Sequence, residues 1–391
     1  MMFEDELHEL TRQHLRRQLK TVDSATEPVI TLDGKPVIQL ASNNYLGLAN
    51  HTVVESAAIE AIRHYGVGSG ASRLISGNQT PHQELETTLA QFKTTEAALT
   101  FGSGYSANTG IIPTLVGPQD CIVADRLCHA SLIDGCRISQ ASLRVFHHND
   151  TTHLKQLLEK RAGTQKTLII TEGVFSMDGD LAPLPELVRL ANEFQATLLL
   201  DDAHGTGVMG QNGRGCIEHF GIDPNELVQI GTLSKALGTI GGYVVGSRTL
   251  IDYLMNTSRS FIYTTAPPPS MVAAAQAAIN IVQSDSDRRT QLWHNREHLY
   301  QGLKGIGFQL TTTQSPILPI ILNDPKRAVE ISARLLEYGI YVPAIRPPTV
   351  PKGTSRLRVT VTSEHTSAHI ETALRAFETV KKELDLKNKT E

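Results

Sequence analysis

The sequence of 391 residues lacks the features of several classes of protein. Its 4 cysteines (Cys121, Cys128, Cys136 and Cys216) form no CxxC pair, which argues against a disulfide framework or a cysteine-rich metal site and favours buried thiols. No apolar run approaches the roughly 20 residues that span a bilayer. Since 36 basic and 40 acidic residues leave a formal charge of -4, no footprint for nucleic acid or an anionic membrane is present. We expect a cytoplasmic protein without a metal ion.

What the sequence does contain is a series of short apolar runs, each followed by a glycine-rich or polar turn and then by a helical pattern. This alternation predicts an α/β protein whose large sheet is mainly parallel and covered by helices on both faces. The predicted strands are Ala97–Phe101, Cys121–Ala124, Thr167–Thr171, Thr197–Leu200 and Val228–Thr232.

The two ends of the chain follow other patterns. Leu7–Leu19 has the periodicity of an amphipathic helix, and Val29–Leu40 alternates like a hairpin that turns at Asp33-Gly34. After about Ser284 the pattern of helix, strand, helix, strand and helix predicts a smaller α+β domain. We therefore predict an N-terminal arm, a large domain and a small C-terminal domain, with the boundaries 1–45, 46–284 and 285–391.

Charged side chains follow two neighbouring predicted strands. Asp201, Asp202 and His204 follow one, and Lys235 follows the next among hydroxyl groups and small residues. Taken singly, the aspartates could equally be helix-capping residues, and the lysine could be an ordinary surface residue. Together they are the groups expected around pyridoxal phosphate (PLP): a carboxylate on the pyridine nitrogen and a lysine that forms an imine with the aldehyde.

A phosphate site is also indicated. Gly102-Ser103-Gly104-Tyr105 leads from a predicted strand into a helix, so backbone N–H groups and the helix N-terminus can hold an anion. Tyr105 and His204 are candidates to cover the two faces of the cofactor ring. The glycines of 66–70 resemble a dinucleotide fingerprint, but they follow a helical segment instead of a strand, so we reject that site.

Taken in order, these motifs resemble the α-oxoamine synthases, PLP enzymes of the aspartate aminotransferase fold type. The resemblance extends from the N-terminal arm to His365. The matching motifs are Ser42-Asn43-Asn44-Tyr45-Leu46-Gly47, Gly68-Ser69-Gly70-Ala71-Ser72-Arg73, Thr171-Glu172-Gly173-Val174-Phe175-Ser176, Asp201-Asp202-Ala203-His204-Gly205 and Thr232-Leu233-Ser234-Lys235-Ala236.

The resemblance implies a role for each residue that matches a family motif. Lys235 would hold the cofactor aldehyde and Asp201 its ring nitrogen, while His129 would stack on the ring. The other implied cofactor contacts are Gly104, Tyr105, Ser176, Thr232 and His204, with Thr264 and Thr265 reaching the phosphate of a second subunit in a homodimer. The implied substrate contacts are Arg17 (chosen over Arg16), Asn43, His129, Thr349 and Arg358, the last as a carboxylate clamp.

The segment 344–354, which contains Arg346-Pro347-Pro348-Thr349, indicates which acyltransferase activity of the family to expect. It resembles the family members that join L-alanine to a pimeloyl thioester and release carbon dioxide in biotin biosynthesis. The resemblance leaves open whether coenzyme A or an acyl carrier protein brings the acyl group. A glycine C-acetyltransferase within the family stays an alternative, and an aminotransferase or a lyase of the same fold is a more distant one.

Overall fold

The structure, a computed structural model, describes residues 3–160, 166–311 and 313–387. These residues form two units. The sheet unit contains Leu48–Ser176 and Leu181–Ser286, and the terminal unit contains the residues up to Gly47, Met177–Asp180 and the residues from Asp287 onward.

The strands are, in chain order, β1 Val29–Leu32, β2 Lys35–Gln39, β3 Ala97–Phe101, β4 Cys121–Asp125, β5 Ser142–Phe146, β6 Thr167–Glu172, β7 Thr197–Asp201, β8 Val228–Thr232, β9 Gly242–Gly246, β10 Ile317–Asn323, β11 Ile340–Tyr341, β12 Ala344–Ile345 and β13 Ser355–Thr360. The α-helices are α1 Glu4–Arg12, α2 Thr52–Tyr65, α3 Thr80–Lys93, α4 Gly104–Leu115, α5 Ala130–Ser139, α6 Thr151–Glu159, α7 Leu184–Glu193, α8 Cys216–Phe220, α9 Arg248–Thr257, α10 Arg259–Ile262, α11 Pro269–Ser284, α12 Asp287–Ile306, α13 Pro325–Glu337 and α14 Ser367–Lys387.

The sheet unit is built on a seven-stranded sheet of order β3-β9-β8-β7-β6-β4-β5. The pairs from β8 through β7, β6 and β4 to β5 are parallel, and β9 is antiparallel to both of its neighbours. Every residue of β4, β6 and β8 is buried, as expected where helices cover both faces of a sheet. The predicted fold class is confirmed.

Two strands of this sheet were missed. The edge strand β5 has the sequence Ser-Leu-Arg-Val-Phe, in which Arg144 interrupts the apolar run, and only Phe146 is fully buried. β9 has a glycine at each end. An apolar run that is interrupted, as in β5, or only three residues long, as in β9, leaves little trace in a hydrophobicity pattern.

The glycine-rich segment that starts at Gly66 follows a helix, as predicted. Gly66 terminates α2 with a φ of 82°, a left-handed conformation that glycine adopts without steric cost. Because the segment does not connect a strand to a helix, it lacks the geometry of a dinucleotide-binding turn.

The terminal unit contains two three-stranded sheets, of order β1-β2-β11 and β10-β13-β12. The predicted hairpin is confirmed: β1 and β2 are antiparallel, and Asp33 and Gly34 both have positive φ angles, 49° and 78°. Two residues of that conformation make the turn that best matches the twist of a hairpin. The helix, strand and helix that follow Ser284 are α12, β10 and α13, in line with the α+β prediction.

The first helix is shorter than predicted. The prediction of a helix over Leu7–Leu19 is wrong beyond Arg12, where α1 ends. His14 has a φ of 55°, and the N–H groups of Leu15 and Arg16 both donate to the carbonyl of Leu10. This left-handed residue closes the helix although the amphipathic pattern continues.

Within the part of the chain that the structure describes, no helix combines the length and apolarity that a membrane crossing needs.

Candidate active site

Three adjacent strands of the sheet unit end in the residues that carry the candidate chemistry. Glu172 is the last residue of β6, Asp201 is the last of β7, and Thr232 is the last of β8. Glu172 and Asp201 are direct partners across the parallel pair. Since these strands run in the same direction, their carboxyl ends form one edge of the sheet, where ligands collect in open α/β folds.

Asp201 is held in one orientation. It is buried, its Oδ1 accepts the N–H of Ala203 at 3.0 Å, and its Oδ2 accepts a hydrogen bond from Nδ2 of Asn108 at 2.8 Å. Asn108 lies on α4, is buried, and also donates to Oγ of Ser131 at 2.9 Å. The carboxylate therefore has a fixed direction, which suits it to hold a single partner such as a protonated ring nitrogen.

Lys235 lies half-buried in the turn that follows β8, as the sequence predicts. Its carbonyl accepts the N–H of Gly238 at 2.9 Å, which closes the turn. The positive charge of Lys235 acts to lower the pKa of both Glu172 and His129, so the amine lies within electrostatic reach of both side chains. His204, three residues after Asp201, is 4% exposed.

His129 is the N-cap of helix α5 and is held by hydrogen bonds on two sides. Its Nδ1 accepts the N–H of Ser131 at 3.2 Å and contacts Oγ of Ser131 at 2.7 Å. Its own N–H donates to Oε1 of Glu172 at 2.6 Å. Desolvation lowers the pKa of the His129 ring, so we expect a neutral imidazole at pH 7, suited to stack on an aromatic cofactor.

The predicted anion site has the expected form of a strand, a turn and a helix. α4 begins at Gly104, and Oγ of Ser103 accepts the N–H of Ser106 at 3.0 Å as the N-cap. A side chain at Gly242 on β9 would meet the carbonyl oxygen of Ser103 at 2.4 Å, so glycine permits this close approach. Tyr105 is half exposed, and its hydroxyl donates to Asp134 at 2.5 Å.

In the terminal unit, two of the predicted substrate contacts lie close to one another. Arg358 on β13 is 5% exposed, and its guanidinium lies 3.4 Å from the hydroxyl of Tyr45. Tyr45 in turn donates to Oδ1 of Asn43 at 3.3 Å. A buried cation beside an amide is a suitable site for a carboxylate.

The other two predicted substrate contacts of this unit lie on exposed segments. Arg17 donates to the carbonyl of Pro347 at 3.1 Å, and the N–H of Thr349 donates to the carbonyl of Arg346 at 3.0 Å. Arg346 also donates to the carbonyl of His14. Two segments more than 300 residues apart in the sequence are therefore joined at Arg17 and Arg346.

The remaining predicted cofactor contacts belong to the sheet unit. Ser176 follows β6, and its N–H donates to Oε2 of Glu172 at 3.2 Å. Thr232 is buried, with Oγ1 donating to the carbonyl of Gly241 at 2.8 Å. Thr264 and Thr265 follow α10 and are exposed. Their assignment to the phosphate of a second subunit stays a prediction.

Two residues of this site were not assigned from the sequence. Glu172 lies inside one of the matching motifs and Asn108 lies on the helix that begins at Gly104, yet the sequence indicated a role for neither. A signal for Glu172 was present, because a carboxylate at the end of a buried strand needs partners just as Asp201 does. Asn108 gave no comparable signal, since an amide on a helix has many possible environments.

Comparison with known protein families identifies the family to which the chain belongs. The chain belongs to the class I and II aminotransferase family, whose model matches residues 35–377. Among curated relatives, it is 47% identical over 384 residues to the 8-amino-7-oxononanoate synthase of Thermoanaerobacter pseudethanolicus, with 98% of this chain and 97% of that protein covered. It is 42% identical to 8-amino-7-oxononanoate synthase 1 of Bacillus subtilis, with 97% of each covered.

Solved structures give the same result for the fold. A serine palmitoyltransferase from S. paucimobilis with a bound PLP–myriocin aldimine is 35% identical, with a TM-score of 0.94 and 98% of each chain covered. An 8-amino-7-oxononanoate synthase from Francisella tularensis is 32% identical, with a TM-score of 0.77 and 90% of this chain and 99% of that chain covered. The resemblance predicted from the motifs is confirmed.

Proposed function

We propose that this chain is a PLP-dependent acyltransferase that joins L-alanine to a pimeloyl thioester. The products are 8-amino-7-oxononanoate, carbon dioxide and the free thiol, as a step of biotin biosynthesis. The observation that carries the proposal is the near full-length identity of 42% to 47% with synthases of that name. The fixed carboxylate of Asp201 and the lysine that follows the next strand give it a chemical basis.

The residues of the sheet unit fit PLP. The Lys235 amine suits the aldehyde, the oriented Asp201 carboxylate suits the pyridine nitrogen, and the N-terminus of α4 at Gly104 suits the phosphate. Ser176, Thr232 and His204 would contact its oxygens, while His129 and Tyr105 would lie against the ring. When bound, PLP supplies the electron sink that makes the α-proton of an amino acid removable.

Each side chain of the site then has its own role in the reaction. The Lys235 amine takes the α-proton of the bound amino acid as the general base and later returns a proton to the product. Asp201, fixed by Asn108 and Ala203, keeps the proton on the ring nitrogen. Arg358 and Asn43 hold the carboxylate of the amino acid until it leaves as carbon dioxide. The α-carbon would first attack the thioester carbonyl and displace the thiol; the carboxylate would then leave as carbon dioxide, and the proton from Lys235 would take its place.

The acyl donor has its own candidate contacts. Arg17 and Thr349 would bind the pimeloyl thioester, whether coenzyme A or an acyl carrier protein brings it. We propose a cytoplasmic homodimer in which Thr264 and Thr265 of each subunit contact the phosphate of the other. Both threonines and the adjacent Tyr263 are exposed in the single chain, which supports this assignment.

The test is a reaction of purified protein with three pairs of substrates, followed by mass spectrometry of the products. Alanine with pimeloyl-coenzyme A should give 8-amino-7-oxononanoate and carbon dioxide faster than glycine with acetyl-coenzyme A or serine with palmitoyl-coenzyme A. A higher rate with either other pair would retain the family and overturn the substrate assignment. Keto acid formation without a new carbon–carbon bond would indicate an aminotransferase.

A further inference from the structure

We infer that Glu172 is a positioning residue of this site, whose single carboxyl group holds the backbone of His129 and of Ser176 in place beside Asp201. The inference rests on the proposed function, since it assigns to Glu172 the alignment of groups that contact PLP. Nothing in the motif resemblance gave Glu172 a role.

The first support is the geometry of the carboxyl group. Glu172 is 3% exposed and lies opposite Asp201 at the end of the neighbouring strand. Its Oε1 accepts the N–H of His129 at 2.6 Å, and its Oε2 accepts the N–H of Ser176 at 3.2 Å. The segment that follows β4 and the segment that follows β6 are thus fixed by one side chain.

The second support is that His129 is linked on its other side to Asp201, through Ser131 and Asn108. Asn108 donates to Oδ2 of Asp201 at 2.8 Å and to Oγ of Ser131 at 2.9 Å. Ser131 contacts Nδ1 of His129 at 2.7 Å. The path from Asp201 through Asn108 and Ser131 reaches the His129 ring, and Glu172 binds the His129 backbone. The ring and the backbone of His129 are therefore positioned by residues at the ends of the adjacent strands β7 and β6.

The third support is the distribution of charge. Burial first, and the neighbouring Asp201 carboxylate second, raise the pKa of Glu172, while the charge of Lys235 and the two N–H groups oppose this. Among the described residues, the ionisable groups that interact with Glu172 include Asp201, Lys235 and Cys128, and His129 contacts it through its backbone N–H. Two adjacent carboxyl groups do not readily ionise together. A protonated Glu172 can still accept both N–H bonds and leaves Asp201 as the charged partner of the ring nitrogen.

The test is Glu172→Gln in the full-length protein. Glutamine keeps the shape but has one acceptor oxygen, and its NH2 group would face one of the two N–H donors. Amide hydrogen exchange in the cofactor-free protein should become about tenfold faster in peptides containing His129 or Ser176. With PLP bound, the pH midpoint of the visible absorption band should move by about one pH unit. The kcat should fall by about tenfold or more with little change in the KM for alanine.

Glu218→Gln is the matched control. Glu218 on α8 also accepts hydrogen bonds from two backbone N–H groups, those of Asn212 and Arg214, which lie in another loop of the sheet unit. In this variant, exchange should change only in peptides around Asn212, and the absorption band and its pH midpoint should match the wild type.

The inference would be overturned if Glu172→Gln kept the wild-type kcat, absorption band and pH midpoint, even with faster amide exchange. Glu172 would then be a structural residue only. If that variant does not fold, Glu172→Asp replaces it, and a wild-type pH midpoint there would also overturn the inference. The proposed function is judged separately, because it depends on which substrates the wild-type protein condenses.

Discussion

The sheet unit and the terminal unit provide their candidate functional residues in different ways. In the sheet unit, Asp201, Glu172 and Lys235 lie at or just after the ends of buried strands, and hydrogen bonds fix the two acids. In the terminal unit only Arg358 lies on a buried strand, whereas Arg17 and Thr349 belong to exposed segments joined through backbone carbonyls. The comparison suggests that the chemistry common to the family resides on the rigid strand ends and that choice of substrate resides on loops.

Both units also bury ionisable side chains, and one in each unit can be tested directly. Behind the strand end of Asp201, the sheet unit buries an ion pair: Lys93 Nζ lies 3.0 Å from Asp202 Oδ2, and both side chains are 1% exposed. Burial opposes the charge of Lys93, but its contacts with Tyr243 and Asp202 hold its pKa above the usual value. In the terminal unit, burial lowers the pKa of the imidazole of His365, which is 2% exposed.

The largest effect on stability is expected from Lys93→Met. Besides Asp202, Lys93 Nζ donates to Oγ1 of Thr206 at 2.9 Å and to the carbonyl of Arg214 at 2.6 Å. The substitution leaves Asp202 as a buried charge without its cation, so the free energy of unfolding should fall by about 3–5 kcal/mol in urea denaturation. The control Lys382→Met removes an exposed pair with Glu378 and should change it by about 0.5 kcal/mol or less. Equal effects in the two variants would contradict the comparison.

A somewhat smaller effect should come from acid acting on His365. Its Nδ1 accepts the N–H of Thr362 at 3.1 Å, and its Nε2–H donates to the carbonyl of Gln39 at 2.9 Å, so the ring is held neutral. Burial lowers the pKa of His365 from its usual 6.5 to about 4. Between pH 6.5 and about 4, the unfolded chain therefore binds a proton at His365 that the folded chain does not bind.

The consequence is a loss of stability on acidification. The contribution of His365 to the free energy of unfolding should be fully present above pH 6.5. It should decrease by about 3 kcal/mol as the pH falls to about 4. Denaturation of the cofactor-free protein across this range measures the slope. His365→Gln removes the titrating group, so its slope should be shallower than that of the wild type. Identical slopes would show that His365 is not the group responsible.

The smallest effect is expected from Arg358→Lys, and it should appear in binding. Lysine keeps the charge but loses the planar pair of donors that a carboxylate accepts, so the KM for alanine should rise by about 10- to 100-fold. The KM for the pimeloyl thioester should stay close to that of the wild type. Arg288→Lys, in the same unit, should change neither value. A selective rise in the thioester KM would assign Arg358 to the acyl donor instead.

The parts of the molecule that could be predicted from the sequence are those determined by local patterns. The buried strands of the parallel sheet appear as apolar runs, and Asp201, His204 and Lys235 follow them directly. The link from Asp201 through Asn108 to Ser131 and the contact between Arg17 and Pro347 join distant parts of the chain, so no spacing indicates them. The end of α1 at Arg12 depends on the left-handed residue His14, which the periodicity does not reveal.

The central claim is that Lys235 carries the cofactor, and covalent labelling tests it most directly. The PLP-loaded protein would be reduced with borohydride, digested, and searched by mass spectrometry for the peptide that bears the cofactor. Label on Lys235, and its loss in Lys235→Ala together with the visible absorption band, is the predicted result. Label on another lysine, or a retained band in Lys235→Ala, would contradict the account of the site.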